Sequence, residues 1–283
     1  MAFDLNRLES WSGESEFKVE AARAVAYAAA TNDANTMHTG GVLAPPVFAV
    51  VPVWEAMMGA AMSIVPPEVI MRVVHAAQDV RIHRPLVPGD VLRSRAAPLG
   101  VQVRGTGTTL LMKTESRDTS GALVNEQYVT TFFRGVSEGD SDGAAPPEHK
   151  LTAELKATPP LAVVAARVDD DQTFRYADAS GDHNPIHLDG DVARSVGLPG
   201  IIVHGLCTMA LAGRVVVEEA CAGDPERLRR LAVRFSRPVL PGQEITTRLY
   251  AAGSDPGVSR FGFETLNPEG QAVIKDGWAE VAP

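Results

Sequence analysis

The sequence predicts an α+β protein built from two copies of one unit, each an antiparallel sheet curled around one buried helix. Three observations support this fold class. The chain of 283 residues is long enough for about two domains of ordinary size. It repeats itself at a nearly constant offset. Each copy also reads as helices followed by several strands joined by turns, the order that such a sheet-and-helix unit requires.

The internal repeat is visible in short stretches that recur in the same order. YAAATNDANTMH at residues 27–38 and YADASGDHNPIH at residues 176–187 share six of twelve positions at an offset of 149. RPLVPGD, which begins at Arg84, matches RPVLPGQ, which begins at Arg237, at an offset of 153. Ordered matches at nearly one spacing indicate a duplicated unit.

The domain boundaries follow from this repeat. Residues 137–150 carry no large apolar side chain and are rich in Gly, Pro, Ser and Asp, a composition typical of an exposed linker. The sequence therefore predicts an N-terminal repeat over residues 1–136, a linker over 137–150 and a C-terminal repeat over 151–283.

The elements of the second copy can be predicted in order. Asp169 is placed to cap a helix with Gln172 at the capping-box position, and Gly181 suits the left-handed residue that ends it. The first copy has Asn32 at the matching stop, the next best residue for that geometry. A helix over residues 206–220 is apolar on nearly every side and must be enclosed. Alternating apolar residues then predict strands around 231–235, 245–249, 261–265 and 272–281.

Charge and composition exclude several function classes. The formal net charge is −9, and the sequence has no basic tract, so we expect no nucleic-acid or anionic-membrane partner. No apolar run reaches the length of a membrane span, and the N-terminus lacks the pattern of a secretory signal. Cys207 and Cys221 lack metal-ligand spacing. A reduced, metal-free, cytoplasmic protein is the prediction.

The densest group of reactive side chains follows the helix stop of the second copy. Asp182, Asn184 and His187 lie within six residues, in a loop restrained by Gly181 and Pro185. A carboxylate and an imidazole that converge on one small molecule are the minimum for taking a proton from water and delivering it elsewhere. The alternative is structural: Asp and Asn often cap a turn, with the histidine simply exposed.

A second feature favours a catalytic role for this loop over a purely structural one. His204 and Gly205 stand directly before the buried helix. The N-terminus of a helix offers free N–H groups and a positive dipole, which suit a developing oxyanion. Gly205, with no side chain, allows close approach of a carbonyl group.

Taken together, the YADASGDHNPIH stretch and the following GLPGIIVHG resemble the signature of the MaoC-like, (R)-specific enoyl-CoA hydratases, also called hydratase 2. The resemblance covers both repeats. It implies a double hot-dog fold and the reversible hydration of trans-2-enoyl thioesters to (3R)-3-hydroxyacyl thioesters. It also implies an acyl-CoA or acyl-carrier-protein substrate and a reaction that needs no cofactor.

The resemblance also implies a role for each matching residue. Asp182 and His187 would hold and activate one water, and Asn184 would position that pair. The Gly205 amide would bind the thioester oxygen.

The first copy keeps only part of this set. Asp33, Asn35 and His38 are present, but a valine pair that begins at Val50 replaces the His204–Gly205 pair. We therefore expect a degenerate first repeat, and the resemblance implies that such a repeat helps to form the acyl-chain tunnel. A second active site at Asp33 and His38 is the alternative.

Two other functions remain open from sequence. A hot-dog thioesterase would need a carboxylate on the central helix, which residues 206–217 lack, although Glu55 stands in the matching helix of the first copy. A non-catalytic acyl-thioester-binding subunit is the other alternative. The resemblance implies a homodimer; a monomer is the alternative, because two repeats in one chain already mimic the usual dimer.

Overall fold

The computed structural model describes residues 2–283. The helices are α1 (Ala21–Ala30), α2 (Thr36–Thr39), α3 (Trp54–Ile64), α4 (Ala153–Lys156), α5 (Gln172–Ser180), α6 (Gly190–Ser195) and α7 (Gly205–Glu219). The strands are β1 (Ser15–Lys18), β2 (Val73–Ile82), β3 (Val91–Arg104), β4 (Gly107–Arg117), β5 (Leu123–Arg134), β6 (Asp142–Gly143), β7 (Ala162–Arg167), β8 (Leu228–Phe235), β9 (Glu244–Asp255), β10 (Val258–Leu266) and β11 (Ala272–Val281). None of the helices between residues 2 and 283 has both the length and the hydropathy needed to cross a membrane.

The first of two compact units contains the chain up to Lys18 and the segments Pro52–His83 and Asp90–Glu148. Its antiparallel strands lie in the order β1-β3-β4-β5-β2, and the short β6 pairs with β3. Helix α3 packs on β3 and β4. The core of this unit includes Ile64, Val101, Leu110, Met112 and Phe133.

The second compact unit contains Val19–Val51, Arg84–Gly89 and His149–Pro283. Its antiparallel strands lie in the order β8-β11-β10-β9-β7. Helix α7 packs on β7, β8, β9 and β11, and α1 packs beside α5. This unit therefore combines α1 and the segment after it, from the first sequence repeat, with the second repeat.

Helix α7 is the buried helix that the sequence predicted over residues 206–220. Eleven of its fifteen residues are buried, because the segment is apolar on nearly every side. Gly213 lies so close to the sheet that a Cβ there would come within 2.8 Å of a Leu231 methyl carbon. The four strands predicted after this helix are confirmed as β8 to β11.

The two helix stops predicted from the repeat are also confirmed. Gly181 has φ of 88° and Asn32 has φ of 51°, both in the left-handed region. The start of α5 differs slightly from the prediction: the helix begins at Gln172 with Asp171, not Asp169, at the N-cap. Gln172 nevertheless makes the capping-box contact, since its side-chain oxygen accepts the Asp169 N–H at 3.1 Å.

A buried pair of tyrosines joins α1 and α5. The hydroxyls of Tyr27 and Tyr176 lie 3.1 Å apart, and both side chains are fully buried. These two residues occupy the same position of the sequence repeat. Burial raises the pKa of both hydroxyls, so both stay neutral and the contact is an ordinary hydrogen bond.

We expect Tyr27→Phe to destabilise the protein by about 1–2 kcal/mol, because the Tyr176 hydroxyl would remain buried without its partner. Urea unfolding measures the change. The matched control is the double variant Tyr27→Phe/Tyr176→Phe, which removes both hydroxyls and should cost less than the sum of the single variants. If the losses of unfolding free energy in the two single variants simply add in the double variant, the coupling between the two hydroxyls is contradicted.

Candidate active site

The loop after α5 has a conformation set by its own side chains. Gly181 ends the helix, and the Asp182 N–H then donates to the Ser180 hydroxyl at 3.2 Å. The Asp182 carboxylate accepts the N–H of Asn184 at 3.1 Å. The Asn184 side-chain oxygen accepts the Ile186 N–H at 3.3 Å and so caps the short 3-10 turn that carries His187. The Asn184 side chain thus caps the turn that carries His187, and its main-chain N–H contacts the Asp182 carboxylate.

His187 is held by a main-chain carbonyl group. Its Nδ1 lies 2.8 Å from the Ile202 oxygen, and the side chain is buried. Since a carbonyl oxygen only accepts, Nδ1 carries the proton in the neutral ring. Nε2 therefore has the lone pair and can accept a proton.

His204 connects this loop to the start of α7. Its Nε2 donates to the main-chain oxygen of Asp182 at 2.9 Å. Its ring stacks on the ring of His187, with centroids 3.8 Å apart and planes 28° apart, and it lies 4.8 Å from the ring of Tyr176. The sequence pattern predicts no role for the His204 side chain; its position directly before the apolar helix is the one signal that points to it.

Together these contacts bring three side chains into one cluster. A carboxylate oxygen of Asp182 and one ring nitrogen each from His187 and His204 all lie within 4.8 Å of one another. Asp182 and His187 do converge, as expected from their spacing. Two imidazoles and a carboxylate are also the donor types that divalent transition metals bind.

Gly205 is the first residue of α7, directly after His204. The first N–H groups of a helix have no partner within the helix, so they are free to bind an acceptor. A Cβ at Gly205 would lie 3.4 Å from the Phe235 ring. The oxyanion donor predicted from sequence is therefore one residue from a histidine of the cluster.

Burial keeps both imidazoles uncharged. It lowers the pKa of His187, and the hydrogen bond to Ile202 and the nearby Asp182 oppose this only in part. Burial, and then the charge that His187 would carry, lower the pKa of His204 to about 4. At neutral pH both rings are neutral, so His187 can act as a base.

In the matching loop of the first repeat, the carboxylate and the imidazole are bonded to each other. His38 Nδ1 lies 2.7 Å from the Asp33 carboxylate, and both side chains are buried. Asn35 caps the turn in the same way as Asn184 does, through Met37 N–H at 3.0 Å. Here the carboxylate bonds directly to the imidazole, and Val50 stands where the second repeat has His204.

Two arginines that the sequence analysis did not single out hold the helix ends at these loops. Arg23 on α1 donates to the carbonyl groups of Ala179 and Ser180, each at 3.1 Å, at the end of α5. Arg175 on α5 donates to the Ala29 carbonyl group at 2.8 Å, at the end of α1. Neither stands in a recognisable motif, so only the packing of α1 on α5 reveals them.

Comparison with known proteins defines the class as a hydratase or dehydratase of thioester substrates. The MaoC like domain matches residues 151–266, and the MFE-2 hydratase 2 N-terminal domain matches residues 35–135. The peroxisomal enoyl-CoA hydratase 2 of Arabidopsis thaliana is 31% identical over 74% of this chain and 68% of its own length. The chain belongs to the MaoC-like hydratase 2 family.

Solved structures support the same assignment. A MaoC-like dehydratase from Phytophthora capsici superposes with a TM-score of 0.83 and 25% identity over 99% of each chain. A Mycobacterium tuberculosis protein described as a double hotdog fold superposes with a TM-score of 0.62 at 15% identity, over 96% of each chain. The double hot-dog fold implied by the sequence resemblance is confirmed.

The lowered pKa of His204 predicts a specific loss of stability in acid. Below pH 6.5 an unfolded histidine binds a proton while the folded His204 stays neutral, so the unfolded state takes up more protons and stability falls. We expect the stability advantage of the parent over His204→Asn to shrink as pH falls from 6.5 toward 4. Urea unfolding at each pH measures it.

A pH-independent difference for His204→Asn would contradict the neutral state of the buried ring.

Proposed function

We propose that this chain catalyses the reversible syn hydration of trans-2-enoyl thioesters to (3R)-3-hydroxyacyl thioesters. Family membership makes it an enoyl-CoA hydratase or dehydratase, a hydro-lyase. The observation that supports this specific reaction is the convergence of Asp182 and the neutral His187 beside the first residue of α7. These groups supply a base, a second acceptor for the same water and an oxyanion donor.

The reaction begins with one water held by Asp182 and His187. The carboxylate accepts one water hydrogen, and the His187 Nε2 lone pair accepts the other. As the water oxygen forms its bond to C3, a water O–H bond breaks and its proton passes to this pair. The π electrons of the C2–C3 double bond move toward the thioester carbonyl group. General acid–base catalysis of this kind increases the rate by roughly 10²–10⁴-fold.

The negative charge that develops on the thioester oxygen is bound at the start of α7. The Gly205 N–H donates to this oxygen, and the helix dipole adds to the attraction. One such donor contributes on the order of 3 kcal/mol. Because a glycine stands there, no side chain shields the amide from the substrate.

Reprotonation at C2 completes the reaction. The proton taken from water returns to C2 from the same side chains, so hydrogen and hydroxyl add to one face. The reverse sequence dehydrates a 3-hydroxyacyl thioester. Water, side chains and one main-chain amide serve every step, and we expect no cofactor requirement.

The two alternative functions fit the geometry less well. A thioesterase needs a carboxylate on the central helix, but Glu55 on α3 is exposed. On α7 the acidic residues Glu218 and Glu219 are exposed at the end far from Gly205. A non-catalytic binding subunit would have no need for Asp182 and His187 to converge.

We also propose that only the C-terminal repeat, residues 151–283, carries the reaction. In the first repeat the Asp33 carboxylate bonds directly to His38 Nδ1 instead of sharing a water with the ring, and Val50 stands where the second repeat has His204. The N-terminal repeat, residues 1–136, would shape the acyl-chain tunnel, and residues 137–150 would link the two.

The substrate carrier, the oligomeric state and the cellular location are expectations from the sequence alone. An acyl-CoA or acyl-carrier-protein thioester as the substrate and a homodimeric state stay predictions. The cytoplasmic location also stays a prediction, because the Arabidopsis relative is named peroxisomal.

Asp182→Asn should reduce the hydration of crotonyl-CoA by at least about 10²-fold, because the amide cannot accept a proton from water. Loss of absorbance at the enoyl band measures turnover, and chiral analysis of the parent's product should show the (3R) isomer alone. Release of free CoA by the parent would instead indicate the thioesterase. No reaction at any chain length would indicate the binding subunit.

The first repeat supplies the matched control. Asp33→Asn makes the same chemical change at the equivalent position and should leave turnover near the parental value, although it weakens a buried hydrogen bond. Equal losses in the two variants would contradict the assignment of one active site per chain.

A further inference from the structure

Both histidines of the active-site cluster are held by a hydrogen bond to the main chain, although the proposed proton transfer uses only His187. Each donates one ring N–H to a main-chain oxygen: His187 Nδ1 to Ile202 at 2.8 Å, and His204 Nε2 to Asp182 at 2.9 Å. Each ring is therefore fixed in orientation, with the lone pair on its other nitrogen. Histidines that bind metals are held in this way, because the outer hydrogen bond sets the tautomer and raises the basicity of the ligand nitrogen.

The lone pair of His204 has no known task. Its Nδ1 is buried without a hydrogen-bond partner, in a side chain that is 1% exposed. Burial of an acceptor without a partner is unfavourable, so an additional ligand at this atom would relieve that cost. The proposed hydration uses His187, Asp182 and the Gly205 amide and leaves this nitrogen idle.

A third donor completes the set. One Asp182 carboxylate oxygen and one nitrogen of each ring lie within 4.8 Å of one another. Ligands of one Zn²⁺ lie about 2.0–2.2 Å from the ion, so binding must draw these three donors together and turn the stacked imidazole rings until both lone pairs point at the ion. Two neutral imidazoles and one carboxylate suit Zn²⁺ and similar divalent transition ions rather than Mg²⁺ or Ca²⁺.

We propose that Asp182, His187 and His204 form an inhibitory site for Zn²⁺ or a divalent transition ion of similar ligand preference. The ion takes the His187 lone pair and the Asp182 oxygen that the hydration reaction uses to activate water. It therefore blocks proton transfer without touching the Gly205 amide. The inhibitory consequence rests on the proposed function, whereas the binding itself does not.

The first repeat offers no such site. Asp33 and His38 bond directly to each other, and Val50 stands in place of the third ligand. Binding of one ion per chain is therefore the expected stoichiometry at the histidine–carboxylate clusters.

The binding experiment uses the full chain after treatment with a chelator, titrated with Co²⁺ as a spectroscopic probe and with Zn²⁺ in a calorimeter. We expect one site per chain, visible Co²⁺ absorption bands, and displacement of Co²⁺ by Zn²⁺. His204→Gln and Asp182→Asn should each weaken binding by about tenfold or more, since each removes one donor. His183→Ala, which alters an exposed histidine of the same loop, should bind as the parent does. Circular dichroism and thermal unfolding verify that each variant is folded.

Zn²⁺ should also inhibit the hydration of crotonyl-CoA over the concentration range in which it binds, and a chelator should restore the activity. Absence of Co²⁺ and Zn²⁺ binding by a folded, active parent would overturn the proposal and leave the proposed function standing. Binding that persists unchanged in both ligand variants would also overturn the proposal. Binding by a parent that shows no hydration would support the site and refute the proposed function alone.

Discussion

The hydrogen bond from His204 to the main chain of Asp182 is the contact on which the geometry of the site depends. It joins the loop after α5 to the first turn of α7 at 2.9 Å. The same ring stacks on His187, and the next residue is Gly205. One side chain thus connects the loop of Asp182 and His187 to the amide of Gly205, which in our proposal binds the thioester oxygen.

Burial then decides what these groups can do. In water an imidazole is partly protonated near neutral pH, and a cation would be a poor base for activating water. Enclosure by the fold lowers the pKa of both His187 and His204, so neutral rings face Asp182. The same enclosure leaves His204 Nδ1 unpaired, which gives the cluster its affinity for a metal ion in our proposal.

The two repeats show how a small change redirects one motif. Both keep an Asp, an Asn and a His at the same spacing, and both use the Asn to cap the turn. Where His204 restrains the loop and the Ile202 oxygen accepts the histidine N–H, a carboxylate oxygen and a ring nitrogen lie within 4.8 Å of each other without a direct bond between them. In the first repeat Val50 makes no such hydrogen bond, and His38 turns to Asp33 itself. The difference arises from the partners of the ring rather than from the motif.

The sequence by itself determined the fold class, the repeat, the helix stops at Asn32 and Gly181, and the convergence of Asp182 with His187. These depend on local preferences and on a short loop, which a sequence encodes directly. Only the tertiary structure decided the tautomers of the histidines, the direct Asp33–His38 bond and the capping of α5 by Arg23. Each requires a partner that is distant in sequence, or a ring orientation set by packing, and spacing along the chain carries no information about either.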